Sequence, residues 1–410
     1  MTTLARVEIT SIAAGGDGVG RTDGMVVFVP RTAAGDTAHV TLVPSKRFAR
    51  GRVETLEIAS PDRVVPPCPH YAVNNCGGCQ LQHLSYDAQL RAKATIIGDA
   101  VRRIGRRDVT EVVVEPSDAQ WRYRRKLTLH LRRVGSRWIA GLHPYDDPAF
   151  VFDLDDCHIT DARVIEIWRE LRVAFGCLPA ERSLRVAVRL LAEGAAVIVE
   201  GGTAWPGAEQ FFTAVPSIAE LWWKPDPGRM RRLASRTGES HSGASFVQVN
   251  ARVAARLRDH VLARAAAYAP RRVVDAYAGG GDTAVPLAAG GATVVAIESD
   301  AEAVARFTDR MRPPSRAVVG RVEDHLAAAL PADLVLLNPP RGGVDPRVAA
   351  VLQQVSSPPS AILYVSCDPA TLARDLGRMP RYRLADVRAY DMFPQTAHVE
   401  TVCELTPEAG

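Results

Sequence analysis

From Ser245 onward, short β-like runs alternate with helical stretches, and this alternation constrains the fold more than any other feature of the chain. The runs are VVDAY, TVVAIE, AVVG, DLVLLNPP and AILYVSC, followed by RLADVRAYDMF and VETVCELT with no helix between those last two. Five strands joined by crossover helices and closed by a terminal pair make seven. That order specifies a Rossmann-like, doubly wound α/β sheet whose last strand runs antiparallel. A ligand of such a sheet binds outside the carboxyl ends of the strands.

The unusual residues of this half fall at those ends. The first strand closes with Asp275-Ala-Tyr277-Ala-Gly279-Gly280-Gly281-Asp282, where glycines let the backbone approach a ligand closely. The second closes with Glu298, a carboxylate that can accept both hydroxyls of a ribose. A glycine loop with an acid downstream indicates an adenosine-type ligand and leaves the chemistry open. The fourth closes with Asn338-Pro339-Pro340-Arg341-Gly342-Gly343, whose prolines fix an extended turn from which Asn338 can present its amide to a planar base. After the fifth comes Cys367-Asp368-Pro369, a thiol in front of a helix N-terminus, where the field favours a thiolate. Cys177 and Cys403 read as buried small residues. Cys367, at the rim shared with Gly279, Glu298 and Asn338, reads as a nucleophile. A polar loop, Asp391 to Val399, precedes Glu400, a candidate base at the start of the last strand.

Seven cysteines and no apolar run long enough to span a bilayer imply a cytoplasmic protein with reduced thiols rather than a disulfide framework. Three of the seven, Cys68, Cys76 and Cys79, lie within twelve residues in PPCPHYAVNNCGGCQLQH. Two glycines between Cys76 and Cys79 form a knuckle that can turn both sulfurs toward one metal. Cys157 is available as a fourth ligand, with His70, His83 and His158 as rivals, and on spacing alone zinc and an iron–sulfur cluster are equally tenable. Between these cysteines, QWRYRRKLTLHLRRVGSRWIAGLHPY reads as a hairpin. Its cations (Arg122, Arg124, Arg125, Lys126, Arg132, Arg133, Arg137) alternate with Trp121, Tyr123 and Trp138, a pattern suited to phosphates and stacked bases.

With 410 residues the chain needs two or three domains, and its formal charge of +4 is too small to identify a partner. The first sixty residues read as an OB-like barrel of short strands, VEITSI, MVVFV, HVTLV and RVETLEI, with GGDGVG, TDG and AAGD as turns. The stretch Lys46-Arg47-Phe48-Ala49-Arg50-Gly51-Arg52 places four cations and a ring at a strand edge, suited to RNA. The expected organisation is residues 1–58 as the barrel, 59–242 as a central antiparallel β domain carrying the cysteines, and 243–410 as the doubly wound domain. A monomer is expected.

Taken together, these motifs resemble the RNA (uracil-5-)-methyltransferase family over nearly the whole chain. The barrel pattern GDGVG…DGMVVFVP…GD resembles a TRAM domain. YVSCDPATLARDL and DMFPQTAHVETV look like the two family signatures, and FVQVN (residues 246–250) and LNPPRGG match further motifs. The resemblance implies methylation of carbon 5 of a uridine, with 23S rRNA preferred and tRNA the alternative. It makes Cys367 the nucleophile and Glu400 the base, and assigns S-adenosylmethionine to Gln248, Tyr277, Gly279, Glu298 and Asn338. It implies a [4Fe-4S] cluster on Cys68, Cys76, Cys79 and Cys157. Arg341 is a candidate contact to the uracil or its phosphate. The chain departs from the family at three places: seven residues rather than five separate Cys68 from Cys76, Asn338 replaces a common aspartate, and Asp282 replaces a common asparagine.

Three rivals use fewer of the residues. An amino-group methyltransferase would use Asn338-Pro339-Pro340, but it would carry an aromatic where Arg341 stands and would leave Cys367 and Glu400 idle. A non-catalytic RNA-binding protein would not need every strand end intact. A radical enzyme would hold its cysteines next to the methyl donor, and here they lie in another domain.

Overall fold

The computed structural model describes residues 3–237 and 248–408. At the N-terminus β1 (Thr3–Ile12), β2 (Gly18–Thr22), β3 (Met25–Val29), β4 (Thr37–Pro44) and β5 (Phe48–Ile58) close into a barrel in the order β1-β2-β3-β5-β4. Alternate residues point inward, so Val7, Ile9, Val27, Val29, Val40 and Leu42 form its core. Much of GGDGVG, expected as a turn, is strand β2. Gly18 and Gly20 are needed there for close packing, because a Cβ on either would strike Thr32 or Val7 across the barrel. Closure also leaves no edge strand. Arg50 and Arg52 therefore project from the outer wall of a barrel rather than guarding an open edge.

After the short helix α1 (Pro69–Val73), helix α2 (Tyr86–Arg103) begins where the Ser85 side chain accepts from the Ala88 N–H. Asp87 in its first turn and Arg102 and Arg103 in its last complement the helix dipole. Strand β6 (Val113–Glu115) follows. The central sheet is built from β7 (Lys126–Val134), β8 (Arg137–Leu142), β9 (Phe152–Asp153), β10 (Ser183–Leu190), β11 (Ala195–Glu200), β12 (Ile218–Lys224) and β13 (Arg231–Ser235). Their order is β13-β12-β11-β10-β7-β8-β9. The expected hairpin is present as β7 and β8. One face of the sheet buries Leu127, Leu129 and Leu131 against Trp168 of α3 (Ala162–Leu171) and Phe211 of α4 (Ala208–Ala214). The sheet is not wholly antiparallel: β11 and β12 run parallel, joined by the crossover that contains α4.

In the last domain α5 (Ala251–Ala267) leads into β14 (Arg272–Ala276), α6 (Ala284–Ala289), β15 (Thr293–Glu298), α7 (Ala301–Thr308), β16 (Arg316–Val319) and α8 (Val322–Ala329). Then come β17 (Leu334–Leu337), α9 (Pro346–Gln354), β18 (Ala361–Ser366), α10 (Pro369–Gly377), β19 (Tyr382–Tyr390) and β20 (Glu400–Pro407). The strand order is β16-β15-β14-β17-β18-β20-β19-β6, with β20 antiparallel between β18 and β19. The seven expected strands are thus joined by an eighth. Strand β6, from the region expected to belong to the central domain, pairs in parallel with β19. Ile97 and Val101 of α2 and Val112 beside β6 lie in the same apolar layer as Val335, Leu372 and Tyr382. The stretch from α2 to β6 is therefore built into the doubly wound domain. The reason is physical: without α2 and β6 the outer face of α10 and the free edge of β19 would be bare. No helix among the described residues is long and apolar enough to cross a membrane.

Candidate active site

The carboxyl ends of β14, β15, β17 and β18 converge on one rim, and the chemistry-bearing residues of the doubly wound domain lie there. After β14, Tyr277 turns with φ 64°, and Gly279 and Gly281 follow at φ 55° and 77°. Gly281 sits against Phe307, and an added Cβ would come within 2.5 Å of the ring. The Gly279 N–H donates to Glu298 Oε2 at 2.9 Å, so the acid at the end of β15 fixes the glycine loop that follows β14. Oε1 of the same carboxylate accepts from the Asp300 N–H at 2.9 Å. Asp275 is fully buried beneath the loop and accepts from the Thr283 hydroxyl at 2.6 Å; burial pushes its carboxyl up to about 7. Asn338 is exposed just past β17, with its N–H on the Ala276 carbonyl at 3.3 Å. Gln248 lies three residues before α5, the first described residue after the gap. Phe246 and Val247, the first part of the FVQVN motif, lie outside the described residues.

The nucleophile and base candidates are neighbours by strand register. Ser366 of β18 pairs with Thr401 of β20. One residue further along that antiparallel ladder brings Cys367 beside Glu400, on the opposite face from the Ser366–Thr401 pair. Helix α10 starts immediately after the thiol, with Pro369 in its first turn and the Asp368 carboxylate capping the Thr371 N–H at 2.7 Å. Burial raises the Cys367 thiol above its usual range, the Glu400 carboxylate adds to the rise, and Arg341 opposes it. Glu400 is buried, which pushes its carboxyl up to about 7 against the pull of Arg341. Arg341 itself is exposed. One guanidinium therefore acts on both groups.

The four cysteines expected to share a group do share a cavity. Cys68, before α1, Cys76 and Cys79 of the knuckle and Cys157, before α3, all line a cavity of about 90 Å³, with His70, Gln82 and His158 also on its wall. Among the described residues, no three His, Cys, Asp or Glu side chains come together as ligands of a single metal ion. The Gly78 N–H, inside the knuckle, donates to Cys76 Sγ at 3.4 Å.

The expected cation-and-ring surface is only partly exposed. Arg122 is held by both oxygens of Asp156, at 2.7 and 2.6 Å. Tyr123 is buried, and its hydroxyl donates to the Pro394 carbonyl at 2.9 Å, so this ring does not face outward. Both residues precede β7, in a segment held against the Cys157 loop, where the Arg122 and Arg124 N–H groups donate to the His158 and Ile159 carbonyls at 2.9 Å. Arg132, Arg133 and Arg137, at the hairpin tip, remain exposed. Sequence reasoning also missed the residues that hold the Asp391–Val399 loop, chiefly Gln89 and Lys93, because a lysine on a helix reads as a solvated position.

Comparison with known proteins agrees with this arrangement. Residues 315–407 match the family described as tRNA (Uracil-5-)-methyltransferase, and residues 3–53 match the TRAM domain. An uncharacterised RNA methyltransferase of Halalkalibacterium halodurans is 31% identical over 98% of this chain and 96% of its own length. A 23S rRNA (uracil(1939)-C(5))-methyltransferase of Chromohalobacter salexigens is also 31% identical, over 98% of this chain and 89% of its own. Among solved structures, the Pyrococcus abyssi tRNA (uracil-54, C5)-methyltransferase in complex with S-adenosyl-L-homocysteine shares the fold, with a TM-score of 0.71 at 23% identity over 98% of this chain and 99% of that one. With its TRAM barrel, doubly wound sheet and matched signature region, the chain belongs to the RNA uracil-5-methyltransferase family.

Proposed function

We propose that this protein methylates carbon 5 of one uridine in 23S ribosomal RNA, with Cys367 as nucleophile and Glu400 as base. The observation that carries the reading is the ladder register that sets these two residues side by side at the rim of the glycine loop. Carbon 5 of uracil is a weak nucleophile. Addition of the Cys367 thiolate to carbon 6 moves an electron pair onto carbon 5 and the adjoining carbonyl oxygen. S-adenosylmethionine supplies the methyl group, which carbon 5 takes while the donor's sulfur keeps the bonding pair. The Glu400 carboxylate then removes the carbon 5 proton. The pair left on carbon 5 re-forms the ring double bond, and the Cys367 thiolate departs. Arg341 offsets negative charge near the thiol and holds the uracil or its phosphate. Gln248, Tyr277, Gly279, Glu298 and Asn338 hold the donor, Glu298 toward its ribose. The base reaches the rim only when it is turned out of its stack, so the target lies in a loop or bulge.

Ribosomal RNA is favoured over tRNA because relatives that match this chain along nearly its full length carry 23S rRNA activities in their names, including proteins of Alkalilimnicola ehrlichii and Azoarcus. Exposed arginines of the barrel wall and of the hairpin tip are available for phosphate contacts. The experiment is nucleoside mapping: RNA from cells lacking the gene loses 5-methyluridine at a single site, and the purified protein restores it there. Loss of the modification from tRNA rather than rRNA would replace the substrate, and no loss anywhere would sink the reading.

The cysteine cavity supports a [4Fe-4S] cluster on Cys68, Cys76, Cys79 and Cys157. Four thiols lining one space match the four-cysteine ligand set of such a cluster. A cluster held there would tie α1, the knuckle and the Cys157 loop together. Protein purified without oxygen should carry about four irons and as many sulfides per chain with a broad visible absorption, which Cys76→Ser removes. Stoichiometric zinc without iron would be the contrary result.

A further inference from the structure

The segment from Asp391 to Val399 joins β19 to β20 without regular structure, yet nearly all of it is buried. Buried backbone outside a helix or ladder must find partners elsewhere. Here they come from residues roughly three hundred positions upstream. Lys93 Nζ donates to the Phe393 carbonyl at 3.1 Å. The Gln395 N–H donates to Gln89 Oε1 at 2.9 Å, and Gln89 Nε2 returns a bond to Gln395 Oε1 at 2.9 Å. The Leu81 N–H donates to the Gln395 carbonyl at 2.9 Å. At the head of the loop the Lys93 ammonium meets Asp391 Oδ1 at 2.5 Å with both side chains wholly buried, and Tyr86 donates to Oδ2 at 2.8 Å.

Tyr86, Gln89 and Lys93 are spaced three and four residues apart, so one face of α2 presents all of them to the loop. The same helix packs on α10, the helix that starts just after Cys367. It therefore touches both the element behind the nucleophile and the loop that leads into the base. A buried ion pair is a poor source of net stability because desolvation offsets its attraction; what it does well is exclude other arrangements.

We propose that Gln89 and Lys93 are positioning residues that hold the Asp391–Val399 loop so that Glu400 meets the carbon 5 proton of the Cys367-bound uracil. The inference rests on the roles given above to Cys367 and Glu400. It places the effect in one late step, proton removal, and not in donor binding, RNA binding or thiol addition.

Two variants test it: Lys93→Met combined with Asp391→Asn, which leaves no unpaired buried charge, and Gln89→Leu, which is neutral throughout. Each is assayed with total RNA from cells lacking the gene and with the same RNA made in 5-fluorouracil. In fluorinated RNA the methylated adduct has fluorine in place of the proton, so it accumulates without any need for the base. Both variants should bind S-adenosylhomocysteine and form the fluorinated adduct within about threefold of wild type. On ordinary RNA, turnover should fall by about thirtyfold or more, and a covalent RNA–protein species should build up on a denaturing gel. Turnover within about threefold of wild type, slow turnover without adduct, or loss of the fluorinated adduct in both variants would each overturn the proposal. Glu400→Gln runs alongside: if it too fails to accumulate adduct on ordinary RNA, the base assignment itself falls and this inference goes with it.

Discussion

Cys367→Ala should reduce methyl transfer by about 10⁵-fold or more, on the scale seen when an enzyme loses its only nucleophile. S-adenosylhomocysteine should still bind with unchanged affinity in a calorimeter. The two halves of this result separate chemistry from folding. Cys367 stands at the end of β18 and only partly buried, so trimming one sulfur leaves little cavity. The glycine loop after β14 is fixed by Glu298 and not by the thiol, so the donor site stays formed. Without addition at carbon 6, carbon 5 has no electron pair with which to take a methyl group. The variant should also fail to form any covalent species with 5-fluorouridine RNA. Appreciable turnover by Cys367→Ala would mean that methyl transfer proceeds without the thiol, and the scheme would be wrong.

Glu400→Gln should slow turnover by about 10²- to 10⁴-fold, the usual contribution of a placed general base, while adduct accumulates. The amide fills the same buried space but cannot accept the carbon 5 proton, so reaction stops after methyl transfer. The pH dependence has a defined sign. Glu400 must be ionised to act, and burial places its carboxyl at about 7. The rate of proton removal should therefore rise about tenfold per pH unit below that value and level off above it. Stability moves the other way. The carboxyl titrates higher in the folded protein than in the unfolded chain, so folding loses stability as pH rises from the ordinary glutamate range to about 7. Glu400→Gln removes that loss, and its melting temperature should overtake that of wild type as pH increases through the window. A wild-type rate flat across this range, or a glutamine variant that gains nothing in stability at higher pH, would contradict the assignment.

The rim was legible in the sequence because a parallel sheet advertises it: each strand is a short apolar run, and the candidate site residues stand where the run stops, as at Glu298, Asn338 and Cys367. The four cysteines were legible because knuckle spacing is rare by chance. Three features were not. Strand β2 hides behind glycines that serve packing and read as a turn. Strand β6 is three residues long, and its pairing with β19 lies in neither segment's composition. Lys93 has the residue type of a wet surface and becomes a core group only through Asp391. For β6 and Lys93 the deciding partner is distant along the chain, and a periodicity read within one window cannot supply it.

The arrangement of α2 and β6 also bears on how the polypeptide comes to be made. Lys93 leaves the ribosome 298 residues before Asp391, and Val113 leaves long before the β19 backbone it pairs with. Until β19 and β20 are made, then, the loop-facing side of α2 and the strand β6 wait for a surface that does not yet exist, while another side of α2 can pack on Ile12 and Ala33. The barrel and the central sheet can close during that interval, because their pairings are internal. The segment from β19 to β20 thus completes both the rim that holds Glu400 and the docking of a helix made long before it, so chains truncated ahead of that segment should be left with neither.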